Sequence, residues 1–367
     1  METISFIIMP VFFVYGFFII RLVYGCFRLK SFHSGGDIPQ NTFTVVVPFR
    51  NEKDNLPILL KSLERLNYPK DKFEVILVND DSDDGFEMGE YHLNIRLVEN
   101  NRKSHSPKKD AIETAVEKAN FDWIVTTDAD CKFYPNWLRV LDDFIQKNTL
   151  AEMVCGQVLQ DGKQTFLDNF QLLDFMGLQS ATAGSFGIGK PFMCNGANFA
   201  YKKDFFKSLN AFKDNKHIAS GDDVFLLQKA VKEYPERVFY LRNQEHLVYT
   251  KPVKTWNDLF CQRVRWAAKS KSYRSDYGKV LAIVIFAGNL TFVISLVLMI
   301  FGNYFLTPFV WFKIFADIFL AQQTSGIHRI WPHHILFSAA IYPFFTVIVA
   351  FYSLFGNYNW KGRNYKM

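Results

Sequence analysis

Acidic and amide side chains gather at three places along this 367-residue chain: Arg50-Asn51-Glu52, Asp80-Asp81-Ser82-Asp83-Asp84-Gly85 and Asp128-Ala129-Asp130. Each cluster closes a short run of β-branched residues. Asp, Asn and Gly also serve ordinary strand-to-helix turns, and any single cluster is explained that way. Three clusters at one sheet edge would crowd carboxylates together, which is costly unless a cation neutralises them. All-oxygen ligation then points to Mg2+ or Mn2+, which typically bridge a few carboxylates to substrate phosphates.

The elements that must position these residues are legible as an alternation. Residues 43–48 (FTVVVP), 73–79 (FEVILVN) and 122–127 (DWIVTT) read as buried strands. Residues 54–66, 107–119 and 135–146 show helical spacing, and two of these stretches open with Pro, which suits the first turn of a helix. That order predicts an α/β domain with a mostly parallel sheet. Ligands of such sheets bind beyond the carboxyl ends of the strands, where the polar clusters fall.

The composition asks for a membrane. The chain is 49% hydrophobic and 17% aromatic with 39 Phe, and its mean hydropathy is −0.01. This argues against a purely soluble enzyme and excludes disordered, collagenous and disulfide-scaffold classes. Residues 4–20 carry no charge and the apolar run continues past Arg21 to Phe27, enough to cross a hydrocarbon core of roughly 30 Å. A cleaved signal peptide is the competing reading, but no basic n-region and no small-x-small site precedes Arg28, which favours an uncleaved anchor. Residues 280–301 and 335–355 are also uncharged and exceed the spanning threshold of about 18 residues. Residues 304–320 carry Pro308, Lys313 and Asp317; this stretch is expected not to span fully, with Lys313 and Asp317 paired at i,i+4 near a headgroup or inside the bundle.

Flanking cations set the topology. Residues 1–3 have none, whereas Arg21, Arg28 and Lys30 follow the first span and Arg263, Arg265, Lys269, Lys271, Arg274 and Lys279 border the next. With Lys361, Arg363 and Lys366 in the tail, both the middle block and the tail are expected in the cytoplasm, which requires an even number of crossings after residue 280. The expected organisation is an N-terminal anchor at 1–30, a cytoplasmic block at 31–275 and a membrane region with a basic tail at 276–367.

Segments 21–30, 262–279 and 356–367 together hold twelve cations and one acid (Asp276), a net of +11, which leaves −5 for the remainder of a chain whose total is +6. The basic character therefore belongs to membrane-adjacent stretches and favours an anionic leaflet or ligand over nucleic acid. Cys26, Cys131, Cys155, Cys194 and Cys261 show no CxxC spacing and read as reduced structural thiols, Cys131 included. His328, His333 and His334 lie between apolar segments without nearby acids and read as interfacial. Arg102, Lys103, Lys108 and Lys109 read as a solvated face, with only Lys108 carrying a claim to phosphate.

Taken in order, these residues resemble the membrane-bound family 2 glycosyltransferases of the GT-A fold, the group that includes ceramide glucosyltransferase-like enzymes and cellulose and hyaluronan synthases. Val47-Pro48-Phe49-Arg50-Asn51-Glu52 is similar to the family's opening strand and turn, and the 78–85 stretch to its V-D-D-x-S-x-D-G pattern. Lys108 before Ala111-Ile112 matches the K-x-x-A-L lysine, although Pro107 stands where Gly is usual. Asp128-Ala129-Asp130 matches the DxD motif, Gly196-Ala197-Asn198 the G-x-N loop and Gln262-Arg263-Val264-Arg265-Trp266 the Q-x-x-R-W motif. Gly221-Asp222-Asp223 occupies the place of the E-D pair, and Trp360-Lys361-Gly362-Arg363 looks like a tail seen in bacterial members. The resemblance runs across nearly the whole chain.

It implies an α/β GT-A nucleotide-diphospho-sugar transferase fold with one N-terminal and two to three C-terminal transmembrane helices. Pro48, Arg50, Glu52, Asp80, Lys108 and Asp128 would contact the donor, with Asp80 at the base or ribose and Asn79 departing from the usual acid. Asp130, with Asp128, would hold the Mg2+ or Mn2+ on the diphosphate. Asp223 is the implied general base, and because Asp222 replaces the common Glu, shortening it by a methylene, the two acids could exchange roles. Gly196, Asn198, Gln262, Arg265 and Trp266 would contact the acceptor or diphosphate. Arg265 suits a bidentate grip on diphosphate and Trp266 suits stacking on a sugar; an amphipathic interfacial helix over 256–274, with Trp as a membrane belt, is the other reading of that stretch.

The expectation is an inverting, metal-dependent hexosyltransferase of the inner membrane, with its catalytic domain cytoplasmic, moving a sugar from a nucleotide donor, UDP being the expected nucleotide, to a membrane-associated lipid acceptor. A processive polysaccharide synthase is the alternative, because Q-x-x-R-W is common in such enzymes. A transporter component, suggested by Lys313 and Asp317, or a non-catalytic nucleotide-sugar binder, complete the alternatives.

Overall fold

The computed structural model of the chain describes residues 2–162, 165–210, 212, 213, 215, 216, 218, 220–328, 332–355, 357–360 and 363–366; Lys361 and Gly362 of the expected tail motif lie outside them. Helix α1 (Glu2–Arg28) is followed by β1 (Phe43–Phe49), α2 (Leu56–Glu64), β2 (Phe73–Asn79), β3 (Ile95–Glu99), α3 (Pro107–Lys118) and β4 (Trp123–Thr126). The three expected strands are β1, β2 and β4. Helix α3 opens on Pro107, whose missing N–H costs nothing in a first turn. Next come β5 (Lys132–Phe133), α4 (Trp137–Lys147), β6 (Met153–Gly156), β7 (Val158–Gln160), α5 (Phe166–Gly187), β8 (Phe199–Lys202), α6 (Lys203–Leu209), α7 (Asp222–Glu233), β9 (Val238–Leu241) and β10 (Val248–Thr250). The chain ends in α8 (Trp256–Ala268), α9 (Asp276–Ile300), α10 (Thr307–His328), α11 (Ile335–Phe355) and a hairpin of β11 (Asn357–Trp360) and β12 (Arg363–Lys366).

The residues group into two compact units. One comprises Lys30–Asp161 and Met193–Lys251, the other Met1–Leu29, Gly162–Phe192 and Pro252–Met367. Residues 162–192 and 252–275 thus cluster with the terminal helices.

The first unit is built on a seven-stranded sheet of order β3-β2-β1-β4-β8-β6-β9. Strands β3, β2, β1 and β4 are parallel, while β8 runs antiparallel to both β4 and β6. Val45, Val46, Val47, Val75, Ile76, Leu77 and Val125 are fully buried, as continuous apolar strands covered on both faces must be. Pairing of β1 with β4 stops at Val46↔Thr126, and Pro48, which has no N–H to give to a ladder, lies beyond that point. Because β2 follows β1 on one side and stays paired to Phe49↔Asn79, while β4 lies on the other, the carboxyl end of β1 is the switch point at which doubly wound sheets bind ligands. A small second sheet, β5-β10-β7, pairs Tyr249 with Lys132 and Val248 with Phe133, so β10 ends beside the loop that follows β4.

The second unit is helical. Among the described residues, three of its helical stretches, Thr3–Arg28, Asp276–Ile300 and Ile335–Leu354, are long and apolar enough to cross a membrane. Helix α10, which covers the expected non-spanning stretch, carries Lys313 fully buried and paired with Asp317 at 2.7 Å; Asp317 also accepts from the Tyr15 hydroxyl. Helix α5 packs against α1 at a close crossing, where a Cβ on Gly25 would lie 2.0 Å from the Gly184 carbonyl oxygen. Cys26 reaches the Ser180 carbonyl at 3.2 Å, and Ser180 meets the Thr324 hydroxyl at 2.5 Å. Rings from α5, α8 and α11 interleave, with Phe170 5.1 Å from Trp256 and 5.3 Å from Phe345. This aromatic packing is the physical reason that α5 and α8 belong with the terminal helices.

Candidate active site

The loops after β1 and β2 are stitched together. The Asn51 amide and Asp83 exchange two hydrogen bonds, of 2.7 and 3.0 Å, and the Lys53 N–H reaches Asp84 at 2.7 Å. Asn51 (φ +53°) and Asp81 (φ +60°) take the left-handed turn conformation that Asn and Asp tolerate. Arg50 donates to the carbonyl oxygens of Asp80, at 2.8 Å, and Asp81, and pairs with the Asp81 carboxylate at 3.1 Å. For Asp81, Asp83 and Asp84, turn-building is what the structure shows. Asp80 is buried, accepts from Asn100 at 2.7 Å and has Arg102 at 3.8 Å. Pro48 sits in register with Val78, directly before this loop pair.

The acids after β4 face a lysine. The Lys108 ammonium, in the first turn of α3, lies 2.7 Å from Asp128 and 3.5 Å from Asp222. Burial alone would lower its pKa, but Asp128, Asp222 and Asp223 together hold it well above the usual lysine value. Asp130 behaves oppositely. Burial, with Asp128 and Glu52 close by, pushes its carboxyl up to about 6, although the Thr250 hydroxyl donates to it at 3.0 Å. Glu52 accepts from the Asn55 amide at 2.5 Å, whose oxygen in turn accepts from Lys251 at 2.5 Å. Thr250 and Lys251 were not anticipated from the sequence; they lie at and just beyond the end of β10, and only the pairing of β10 with β5 brings them here.

Glu52 and Asp128 thus stand close enough to Asp130 to help raise its carboxyl. Among the described residues no group of three or more His, Cys, Asp or Glu side chains is arranged to hold a metal. The oxygen donors and the raised Asp130 suit a hard cation that completes its shell from elsewhere, as Mg2+ and Mn2+ do with substrate phosphates. Cys131 is buried, and burial beside Asp130 and Asp128 pushes its thiol up, so it stays protonated and serves packing.

The other acids arrive on the first turn of α7. Gly221 precedes them at φ +83°, and a Cβ there would meet the Phe225 ring at 2.7 Å, so the tight entry to the helix requires glycine. The Asp223 carboxylate accepts from the Gly196 N–H at 3.0 Å and the Val224 N–H at 2.7 Å, which fixes its orientation. Gly196 is itself held by Thr126, whose hydroxyl donates to its carbonyl at 2.8 Å. Asn198, expected at the acceptor or diphosphate, instead turns inward. It is buried, its amide donates to the carbonyls of Gln157 and His246 at 2.9 and 2.8 Å, and its oxygen accepts from the Trp137 indole at 3.1 Å.

Gln262, Arg265 and Trp266 lie on α8, in the helical unit. Their helix is capped by Thr255, which accepts from the Asp258 N–H at 3.1 Å. Arg263, read from the sequence as a membrane-flanking cation, is buried; it binds Asp174 of α5 at 2.5 Å, donates to the Gln262 side chain and stacks 4.3 Å from the Trp266 ring centroid. The structure thus brings together Glu52, Lys108, Asp128, Asp130, Gly196, Asp222 and Asp223 in one unit, and Gln262, Arg263 and Trp266 in the other.

The sequence pattern described as Glycosyl transferase family 2 matches residues 44–234, more than half of the chain. Among curated proteins, the chain is similar to a probable glycosyltransferase, YdaM, of Bacillus subtilis (strain 168), with 25% identity over 236 residues, 61% of this chain and 54% of the relative. It is 23% identical over 196 residues to the glycosyltransferase AglE of Haloferax volcanii, 51% of this chain and 60% of that one. The chain thus spans little more than half the length of these relatives. Among solved structures, the mannosyltransferase PcManGT from Pyrobaculum calidifontis, in complex with GDP-Man and Mn2+, superposes with a TM-score of 0.57 at 16% identity, covering 89% of this chain and 99% of that one. At that identity the likeness is one of fold.

Proposed function

The chain belongs to glycosyl transferase family 2, and from that premise we propose that it transfers a sugar, with inversion, from a nucleotide-diphosphate donor to a lipid acceptor in its own membrane. The observation that carries this reading is the Lys108 ammonium standing between Asp128 at 2.7 Å and Asp222 at 3.5 Å, near an Asp130 that burial, with its acidic neighbours, pushes up to about 6. Such a site is built for a phosphorylated ligand and a cation. Asp128 and Asp130 would hold Mg2+ or Mn2+, and Asp80 would take the nucleoside. Bound there, the metal supplies Lewis-acid stabilisation of the charge that builds on the leaving diphosphate.

Asp223 is the better general base of the two acids. Asp222 is engaged by Lys108 at 3.5 Å, whereas two backbone N–H groups aim the Asp223 carboxylate. Arg50 acts by holding the loop that carries Asp80, and Asn198 by bracing the loop that carries Gly196. Gln262, Arg265 and Trp266 remain the proposed contacts for diphosphate or acceptor, with Arg263 holding Gln262 and Trp266. Two candidate spans, with basic residues bordering the start of the first and following the second, support a cytoplasmic catalytic block at 31–275, an inner-membrane location and a lipid acceptor.

The test is transfer by the full chain in membranes, given a panel of labelled nucleotide sugars with Mg2+ or Mn2+ and partitioned between organic solvent and insoluble polymer. Label is expected in the organic phase with one donor, and Asp223→Asn should abolish it while still binding that donor. Label in polymer would replace the lipid acceptor by a growing glycan. Wild-type transfer by Asp223→Asn would remove the catalytic assignment.

A further inference from the structure

Lys109 reads as a solvated cation in the sequence, yet its side chain is fully buried. Its ammonium donates to the carbonyl oxygens of Asn215 at 2.7 Å and Ile218 at 3.0 Å, and it lies 4.9 Å from the Phe225 ring centroid and 5.9 Å from that of Phe212. Burying an ammonium is costly, so its place is fixed by what it binds. What it binds is the segment that runs directly into Gly221-Asp222-Asp223. One helical turn further along α3, on the same face, Glu113 pairs with Lys216 of that segment at 2.8 Å.

Successive helical residues diverge by about 100°, so the first turn of α3 reaches three ways at once. Lys108 points to Asp128 and Asp222, and Lys109 to the 212–218 segment and Phe225 of α7. Asp110 accepts from the N–H groups of Lys103 and Ser104, at 3.0 and 2.8 Å, and so holds the loop after β3. A single turn therefore connects the carboxylates after β4 to those that open α7.

We propose that Lys109 is a positioning residue for Asp222 and Asp223: by anchoring Asn215 and Ile218 to α3, it fixes the acceptor-side acids relative to the Lys108–Asp128 pair. The inference rests on the functional reading of those acids. Lys109 touches no substrate, and its effect falls on the chemical step, because displacing reacting groups by about 1 Å can cost on the order of a hundredfold in rate.

The experiment compares Lys109→Met, Lys109→Arg and Glu113→Gln in the full chain in lipid nanodiscs. Steady-state kinetics and equilibrium binding of donor with Mn2+ are read alongside amide hydrogen exchange. Lys109→Met is expected to lower kcat on the order of a hundredfold while leaving donor affinity within about threefold of wild type. Arg should rescue part of that loss, and Glu113→Gln should give a smaller loss of the same kind. Exchange should quicken across residues 212–224 and not in β1, β2 or β4. Wild-type kcat in Lys109→Met, donor affinity falling in step with kcat, or faster exchange throughout the sheet would overturn the assignment. Should Lys109→Met not accumulate, Glu113→Gln decides: unchanged kcat and exchange there reject the proposal. Turnover by Asp223→Asn would instead sink the functional reading, and leave the exchange result for Lys109 standing.

Discussion

Lys108 and Asp128 meet at 2.7 Å, and the same ammonium stands 3.5 Å from Asp222, so one cation joins the acid that follows β4 to the acid that opens α7. Replacing it by a neutral residue of similar length leaves the two carboxylates without their shared partner. Lys108→Gln is expected to lower kcat/KM on the order of a hundredfold, equivalent to about 2–3 kcal/mol. Steady-state kinetics against donor concentration decide this, and an unchanged kcat/KM would show that Lys108 is a structural tie alone.

The raised Asp130 carboxyl gives a pH dependence of definite sign. Because its folded value of about 6 exceeds that of an unfolded carboxylate, the fold favours the protonated form. In metal-free protein this contribution to stability is complete below the unfolded value and is lost as pH rises through about 6. A divalent cation with donor should reverse the trend, because the ligand must be deprotonated to bind it. Thermal unfolding measured from about pH 5 to about pH 7, with and without Mn2+ and donor, checks both slopes, and Asp130→Asn should flatten them.

Thr250 aims the same carboxylate through its 3.0 Å hydrogen bond. Removing an outer partner of a metal ligand typically costs about 10–100-fold in metal affinity. Thr250→Val is expected to weaken Mn2+ binding by that amount, measured by titration with paramagnetic detection, whereas Thr250→Ser should keep it. Equal affinities in the valine variant would remove Thr250 from the site.

Arg263 and Asp174 form a buried ion pair between α8 and α5, with side chains 6% and 4% exposed. Breaking a buried pair from one side costs about 3–5 kcal/mol, because the remaining charge is stranded, while replacing both partners by apolar residues is often neutral. Arg263→Met and Asp174→Leu should each destabilise the helical unit, and the double variant should recover most of the loss. Unfolding of the detergent-solubilised chain, read by tryptophan fluorescence, separates these outcomes; additive single effects would mean that the pair is not coupled.

The parallel strands β1, β2 and β4 were legible because they are short apolar runs rich in β-branched residues, and the pairing of Lys313 with Asp317 because i,i+4 spacing favours it. The acidic edge of the sheet was legible as chemistry, with Glu52 and Asp128 influencing Asp130, but not as a division of labour. Nothing in a one-dimensional pattern separates Asp81, Asp83 and Asp84, which tie loops together, from Asp128, which faces Lys108. Lys109 looked solvated because charge usually is, and its burial depends on carbonyls more than a hundred residues later. Helix α5 gave no membrane-like signal because Gln171, Asp174, Gln179, Ser180, Thr182 and Ser185 are buried in it. Thr182 and Ser185 bond back to carbonyls of α5 itself, whereas Gln171, Asp174 and Ser180 also reach partners on other segments, as Gln171 does with Val253 at 3.0 Å.

The position of α5 in the chain also sets an order of events during synthesis. Strand β8 lies inside the seven-stranded sheet, hydrogen-bonded to β4 on one side and β6 on the other, yet it is translated after the whole of α5. The two sides of the sheet cannot be joined until α5 has emerged, and α5 packs with α1, α10 and α11, the last two translated later still. Completion of the catalytic sheet and assembly of the helices are thereby interleaved along the nascent chain. A fragment cut to residues 31–275 for expression would carry α5 without α1, α10 and α11, leaving its apolar and aromatic faces uncovered. Such a fragment is expected to aggregate where the full chain in lipid does not.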